Sequence, residues 1–260
     1  MKKIILIFLV ALLSGCASGP RIDTSFSSVS QDSRVRYLIL HYTFGDFPTS
    51  LKVLTEQQVS SHYLVDDGDG FKIYRLVDES RRAYHAGLSS WKGNTSLNAS
   101  SIGIEIVNPG WRDTDQGRVW IPFPQGQIDR LIPLIKDIVK RHDIAPDHVL
   151  AHSDIAPQRK QDPGPMFPWK QLADAGLVLW PDEKEVALRL AGFEGQLPDV
   201  AWFQKKLAEH GFGLVQSGEL DQATRNVVSA FQMKYRPSKF DGTPDAQTAA
   251  ILDVLTTPVK

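Results

Sequence analysis

The chain reads as an α/β domain, a central, mostly mixed β-sheet flanked by helices, followed by a small three-helix domain. Three observations predict this. Two near-continuous apolar runs of strand length, VRYLILHY at residues 35–42 and SIGIEIV at residues 101–107, suit strands buried on both faces. Residues 127–142 place Ile128, Leu131, Ile132, Ile135, Ile138 and Val139 at helical spacing. From Trp180 onward the texture changes to three shorter apolar-periodic segments separated by turn residues.

The first sixteen residues address the chain to a compartment. Lys2 and Lys3 precede an apolar run of ten residues, 4–13. That is shorter than the roughly 20 residues a bilayer span needs, and it has the proportions of a secretory signal. The run ends in Leu13-Ser14-Gly15-Cys16, which resembles the lipobox of bacterial lipoproteins, where the cysteine is acylated and becomes the new N-terminus. Cys16 is the only cysteine, so no intramolecular disulfide can form, and a lone free thiol would be odd in an exported protein. The competing reading is a plain core cysteine behind an uncleaved anchor. Ala17 rather than aspartate follows, and the resemblance then implies lipid anchoring in a bacterial outer membrane, facing the periplasm. Several acyl chains make such attachment stable where one alone is marginal.

Without residues 1–15 the chain has 27 basic and 30 acidic residues, a formal charge of −3. Nothing resembles a polybasic surface, which excludes nucleic acid as an expected partner. Residues 17–33 are rich in Ser, Gly, Pro and Asp and read as a tether. The expected domains are therefore 1–16 signal and lipobox, 17–33 tether, 34–180 the α/β domain, and 181–260 a linker with the helical domain.

Within the α/β part, residues 35–42 end on His41 and Tyr42, at the end of a central strand where α/β folds tend to place ligand-binding groups. Residues 51–60 read as a weakly periodic helix. Residues 62–66 and 71–77 alternate as short strands joined by Asp67-Gly68-Asp69-Gly70, a hairpin signal. Residues 101–107 carry Glu105 inside an aliphatic strand, and Asn108-Pro109-Gly110 ends it. In the helix over 127–142, Pro133 predicts a kink or an early turn. Residues 149–151 read as a short strand delivering His152. Pro181-Asp182-Glu183-Lys184 reads as a linker or the start of a cap, and helices follow at 200–210, 224–235 and 246–255.

Between Ala151 and Gly164 the stretch AHSDIAPQRKQDPG brings His152, Lys160 and Asp162 close together. Pro157, Pro163 and Gly164 predict an irregular loop rather than a helix. Such a loop can offer two metal ligands and a cation on one rim, and a metal site built there needs a further ligand from elsewhere. His41 is available for it. Asp154 is a rival carboxylate, but its place two residues after His152 suits a loop-folding aspartate that bonds nearby amides.

YLILHYT (37–43), SSHYLV (60–65), YHAG (84–87), SIGIEIVN (101–108) and HSDIAPQRKQDPG (152–164) occur in the order of the zinc N-acetylmuramoyl-L-alanine amidases, the type 2 family, which shares its fold with peptidoglycan recognition proteins. The resemblance spans roughly residues 35–180. Beyond it, residues 202–204, 218–221, AFQ (230–232) and DGTPDAQT (241–248) resemble a peptidoglycan-binding type 1 domain, with a departure in the last segment that leaves its groove less defined.

The resemblance implies one Zn2+ per chain held by His41, His152 and Asp162. Three protein ligands leave a fourth position open, the catalytic arrangement, whereas structural sites close the shell, usually with thiolates. It also implies Glu105 as general base and Lys160 as the cation that stabilises the oxyanion. Without the motif, Glu105 would read as half of a structural ion pair and Lys160 as a solvated loop lysine. Arg159 has no motif match and reads as surface charge. His85 reads either as a substrate contact or as a structural hydrogen-bonding histidine. Tyr42 and Trp91 are candidate groove walls, or simply buried aromatics. The expected activity is zinc-dependent hydrolysis of the amide between the N-acetylmuramic acid lactyl group and L-alanine, in peptidoglycan or muropeptides, by a monomer. Three rivals stand beside it: a non-catalytic peptidoglycan recognition lipoprotein on the same fold, a zinc endopeptidase or carboxypeptidase, and a structural wall lipoprotein that uses only the helical domain.

Overall fold

A computed structural model describes residue 20 and residues 22–257. The signal and the acylation call at Cys16 lie outside the described residues. The compact unit starts at Ser33, and the described residues before it hold only local turns such as Ser25 N–H to Asp23. Among the described residues no helix is long and apolar enough to cross a membrane.

In chain order the first elements are β1 (Tyr37–Tyr42), α1 (Phe47–Glu56), β2 (Tyr63–Val65), β3 (Ile73–Arg75), β4 (Ser90–Trp91), β5 (Asn94–Thr95) and β6 (Ser101–Ile106). Then come β7 (Trp111–Thr114), β8 (Gly117–Trp120), α2 (Gln125–His142), β9 (Val149–Ala151), α3 (His152–Ile155) and α4 (Trp169–Asp174). The chain closes with α5 (Glu183–Gly195), α6 (Val200–His210), α7 (Gln222–Tyr235) and α8 (Ala246–Thr256). The central sheet runs β3-β2-β6-β1-β9, with β3 antiparallel to β2 and the other pairs parallel. It is the expected mixed sheet flanked by helices.

Period-2 alternation sorts the central strands cleanly. Leu38, Leu40, Ile102, Ile104 and Ile106 face α2, whose Ile128, Leu131, Ile135 and Ile138 complete that core. Pro133 sits on the exposed side of this helix, where the hydrogen bond it cannot donate faces water. Tyr37, Ile39 and Leu150 face the other way and pack with Phe203, Leu207, Val227 and Phe231 of the C-terminal helices. The sheet and the helical region therefore share one core and one compact unit.

Among its described residues that region holds four helices rather than three. Residues 183–195, at the edge of the expected linker, form α5, which opens on Asp182 accepting from the backbone N–H of Lys184 and Glu185. Aspartates also cap α6, α7 and α8, through Asp199, Asp221 and Asp245. Such a carboxylate satisfies an otherwise orphaned backbone donor at the helix start, typically worth about 1 kcal/mol.

Candidate active site

His41 is the penultimate residue of β1 and stands in register with Glu105 of β6. Alternation puts both on the face that carries Tyr37, Ile39, Ser101 and Gly103, opposite α2. The 151–164 stretch arrives beside them from β9. It begins with one helical turn, α3, rather than being irregular throughout, because Asp154 reaches back to accept the Ala151 N–H at 2.9 Å. His152 opens this turn, and Asp162 returns to it, its carbonyl accepting from Ser153 N at 3.0 Å.

The three side chains converge. His41 Nδ1 lies 2.9 Å from His152 Nδ1, and each of these nitrogens lies 3.0 Å from Asp162 Oδ2. All three residues are buried. Tetrahedral ligands about 2.0–2.1 Å from zinc sit roughly 3.3 Å apart, so this triangle needs little expansion to hold such an ion. The protonation states also fit. Burial, then the proximity of His152, lowers His41 to about 4, so its ring is neutral near pH 7. Burial alone would raise Asp162, but the two histidines overcome it and hold its carboxyl far below the usual range. His152 Nε2 is 3.3 Å from Ala86 O, which as an acceptor assigns the ring proton there and leaves Nδ1 as a lone pair toward the centre.

Around the triangle lies a groove of about 730 Å³ lined by Tyr42, Phe44, His85, Glu105, Lys160 and Asn226, among others. Glu105 Oε2 is buried without a hydrogen-bond partner. Burial, reinforced by the charge of Asp162 and opposed by Lys160, pushes its carboxyl well above the usual range. His85 reaches the groove wall but is only 8% exposed, with one ring nitrogen 3.1 Å from His41 Nε2 and the other 3.2 Å from Ser101 Oγ.

Trp91 is not a groove wall. It is 1% exposed and stacks edge-on against His210 and Phe212, with ring centroids 5.6 and 5.2 Å away. The β4–β5 hairpin tucks its indole beneath α6, against Gly211, where an added Cβ would come within 2.6 Å of the ring. Arg159 is not idle surface charge either. It donates to Ala86 O and, at 2.8 Å, to Leu88 O, which pins the YHAG segment against the turn that carries His152. Asn226 comes from α7 and donates to Gln158 Oε1 at 2.9 Å. Nothing in its own stretch of sequence marks it, because its place in the groove depends on how two distant regions pack.

A family model described as N-acetylmuramoyl-L-alanine amidase matches residues 31–165. This chain belongs to the N-acetylmuramoyl-L-alanine amidase family. A peptidoglycan binding domain model matches residues 196–252. The chain is 44% identical over 259 residues to N-acetylmuramoyl-L-alanine amidase AmiD of Escherichia coli (strain K12), covering 94% of this chain and 93% of that protein. The structure of E. coli AmiD with anhydro-N-acetylmuramic acid-L-Ala-D-gamma-Glu-L-Lys superposes with a TM-score of 0.83, covering 91% of this chain and 94% of that one. Pseudomonas aeruginosa AmpDh3 is similar too, at 39% identity and a TM-score of 0.85, over 91% of this chain and 98% of the other. The amidase family's α/β fold with a C-terminal helical region is thus matched along nearly the whole described chain.

Proposed function

We propose that this chain is a zinc amidase that hydrolyses the bond between the N-acetylmuramic acid lactyl group and L-alanine in peptidoglycan or muropeptides. The observation that carries this is the buried triangle of His41, His152 and Asp162, open to a groove with Glu105 and Lys160 beside it. Zinc, when bound, supplies Lewis acidity that polarises a carbonyl and acidifies water. The chain's own groups do the rest. Glu105, whose Oε2 is buried without a hydrogen-bond partner, takes the proton from the attacking water and delivers it to the departing alanine nitrogen. Lys160, on the groove, brings positive charge toward the oxygen that becomes negative as water adds. Tyr42 offers an aromatic face along the same groove.

The C-terminal helices are the wall-binding module of this reading, supported by the family match over residues 196–252. A periplasmic or cell-wall location follows from that chemistry. The anchor is an acyl group on Cys16 in the outer membrane, supported by the lipobox pattern. The enzyme acts as a monomer.

The test uses protein beginning at residue 17 with defined muropeptides, with and without chelator, and mass analysis of products. Release of stem peptide beginning at alanine, abolished by chelation and by Glu105→Ala, is the expected result. Tight muropeptide binding without product would replace the enzyme with a recognition protein.

A further inference from the structure

Behind the triangle, a run of hydrogen bonds leads from the backbone of the short turn before β6 to the far side of His41. Ser101 Oγ lies 2.7 Å from Leu97 O, and a carbonyl only accepts, so the hydroxyl donates there. Its oxygen is left to accept, and His85 Nε2, at 3.2 Å, is the group that donates to it. The His85 ring is buried with His41, His62 and Ser101 around it, and no carboxylate is among its hydrogen-bond partners. A cation there would be uncompensated, so the ring is neutral and carries a single N–H. His85 Nδ1 is then a lone pair, and it accepts from His41 Nε2 at 3.1 Å. With its proton on Nε2, His41 has only Nδ1 free as a lone pair, the atom that meets His152 and Asp162.

The strand makes room for this run. Gly103 lies under the His85 ring, and a Cβ there would fall 2.4 Å from its Cγ. His62 closes the other side. Gly103 N–H donates to His62 Nδ1 at 3.0 Å, so His62 donates through Nε2 to Arg81 O and offers the run no competing proton.

From this the structure assigns His85 and Ser101 as positioning residues, a one-way relay that locks His41 in the tautomer able to bind zinc through Nδ1. The assignment rests on the zinc reading of the triangle. It gives the histidine of YHAG a task that does not require contact with substrate. Partners that orient a ligand histidine typically change metal affinity by about 10–100-fold when removed.

Zinc affinity, measured by competition with a fluorescent zinc chelator, tests this in protein beginning at residue 17. His85→Phe fills the space without hydrogen bonds and is expected to bind zinc about 10–100-fold more weakly. His85→Gln keeps an acceptor and a donor at about the imidazole spacing and is expected to recover most of that loss. In nitrogen-15 spectra of the zinc-loaded wild type, the His41 Nε2–H should appear as a downfield, exchange-protected imidazole proton that Ser101→Ala exposes to exchange. Wild-type affinity in folded His85→Phe, or failure of His85→Gln to improve on it, overturns the relay. Should His85→Phe not fold, Ser101→Ala decides: unchanged affinity with an unchanged imidazole signal overturns it. Failure of the wild type itself to bind zinc overturns the metal reading and the relay with it.

Discussion

Lys234 is the residue whose loss should be felt furthest from where it sits. It belongs to α7, yet its ammonium is buried against the amidase loop, 2.7 Å from Asp154 Oδ2 and 3.3 Å from Val149 O. It also lies 4.4 Å from the centroid of the Trp169 ring. The side chains of Lys234 and Asp154 are 4% and 1% exposed. Replacing Lys234 by Met keeps the length and removes the charge, and Asp154 then retains only the Ala151 N–H as donor to Oδ2, its Oδ1 already having no partner. Stranding a buried charge in this way costs about 3–5 kcal/mol, a large part of the 5–15 kcal/mol that typically holds a domain together. Replacing both residues, as Lys234→Met with Asp154→Asn, strands no charge and should cost clearly less than the two single losses added together. Urea unfolding followed by far-ultraviolet circular dichroism on the four proteins of the cycle gives the coupling directly. A loss under about 1 kcal/mol for Lys234→Met, or strict additivity in the cycle, would refute the view that this pair ties the two regions together.

The remaining expectations address catalysis, the shared core and pH. Glu105→Gln should lower kcat by about 10²–10⁴-fold while leaving the melting temperature unchanged or raised, since it removes a buried charge with an unpartnered oxygen; a kcat within tenfold of wild type would remove Glu105 from proton transfer. Trp91→Ala should cost about 3–5 kcal/mol by denaturant unfolding and leave KM nearly unchanged, whereas a groove wall would raise KM at little cost in stability. Ending the chain at residue 195 uncovers Tyr37, Ile39, Leu150 and Ile155; at about 1.5–3 kcal/mol for each large apolar side chain, the truncated protein should lose cooperative unfolding, and a sharp melt would count against the shared core. Burial would raise Glu79, but hydrogen bonds from Arg141, Tyr63 and His142 prevail and bring it down to about 2. A lowered carboxylate stabilises the fold fully above its ordinary value near 4.5, and that contribution fades as pH falls toward 2. Glu79→Gln should therefore lose about 1–2 kcal/mol at pH 7, after allowance for solvent screening, and nearly nothing at pH 2; a loss independent of pH would show that packing, not charge, is at stake.

What the sequence disclosed follows the range of its signals. β1 and β6 were legible because continuous apolarity marks a strand covered on both faces, and Glu105 was legible because a carboxylate there contradicts its surroundings. The convergence of His41, His152 and Asp162 was legible through motif order, although periodicity alone could not say that β1 and β9 lie side by side. The β4–β5 and β7–β8 hairpins were missed, since two- to four-residue strands are too short to show a period. α5 was missed because none of its residues is buried and its apolar side chains form no clear stripe, although Asp182 followed by Glu185 is a helix-start signal. Arg159 was misread and Trp91 left open for one reason: an aromatic or a guanidinium looks the same in sequence whether it faces a groove or closes a packed seam.

The common core has a consequence for how such a protein would work along a polymer. A cutting groove joined by a loose linker to a gripping module can strike anywhere within the linker's reach. Here Asn226, from the helical region, forms part of the groove itself. If that region holds glycan, the place of grip and the place of cleavage keep a constant offset, and the enzyme behaves as a ruler laid on the strand rather than as a blade on a leash.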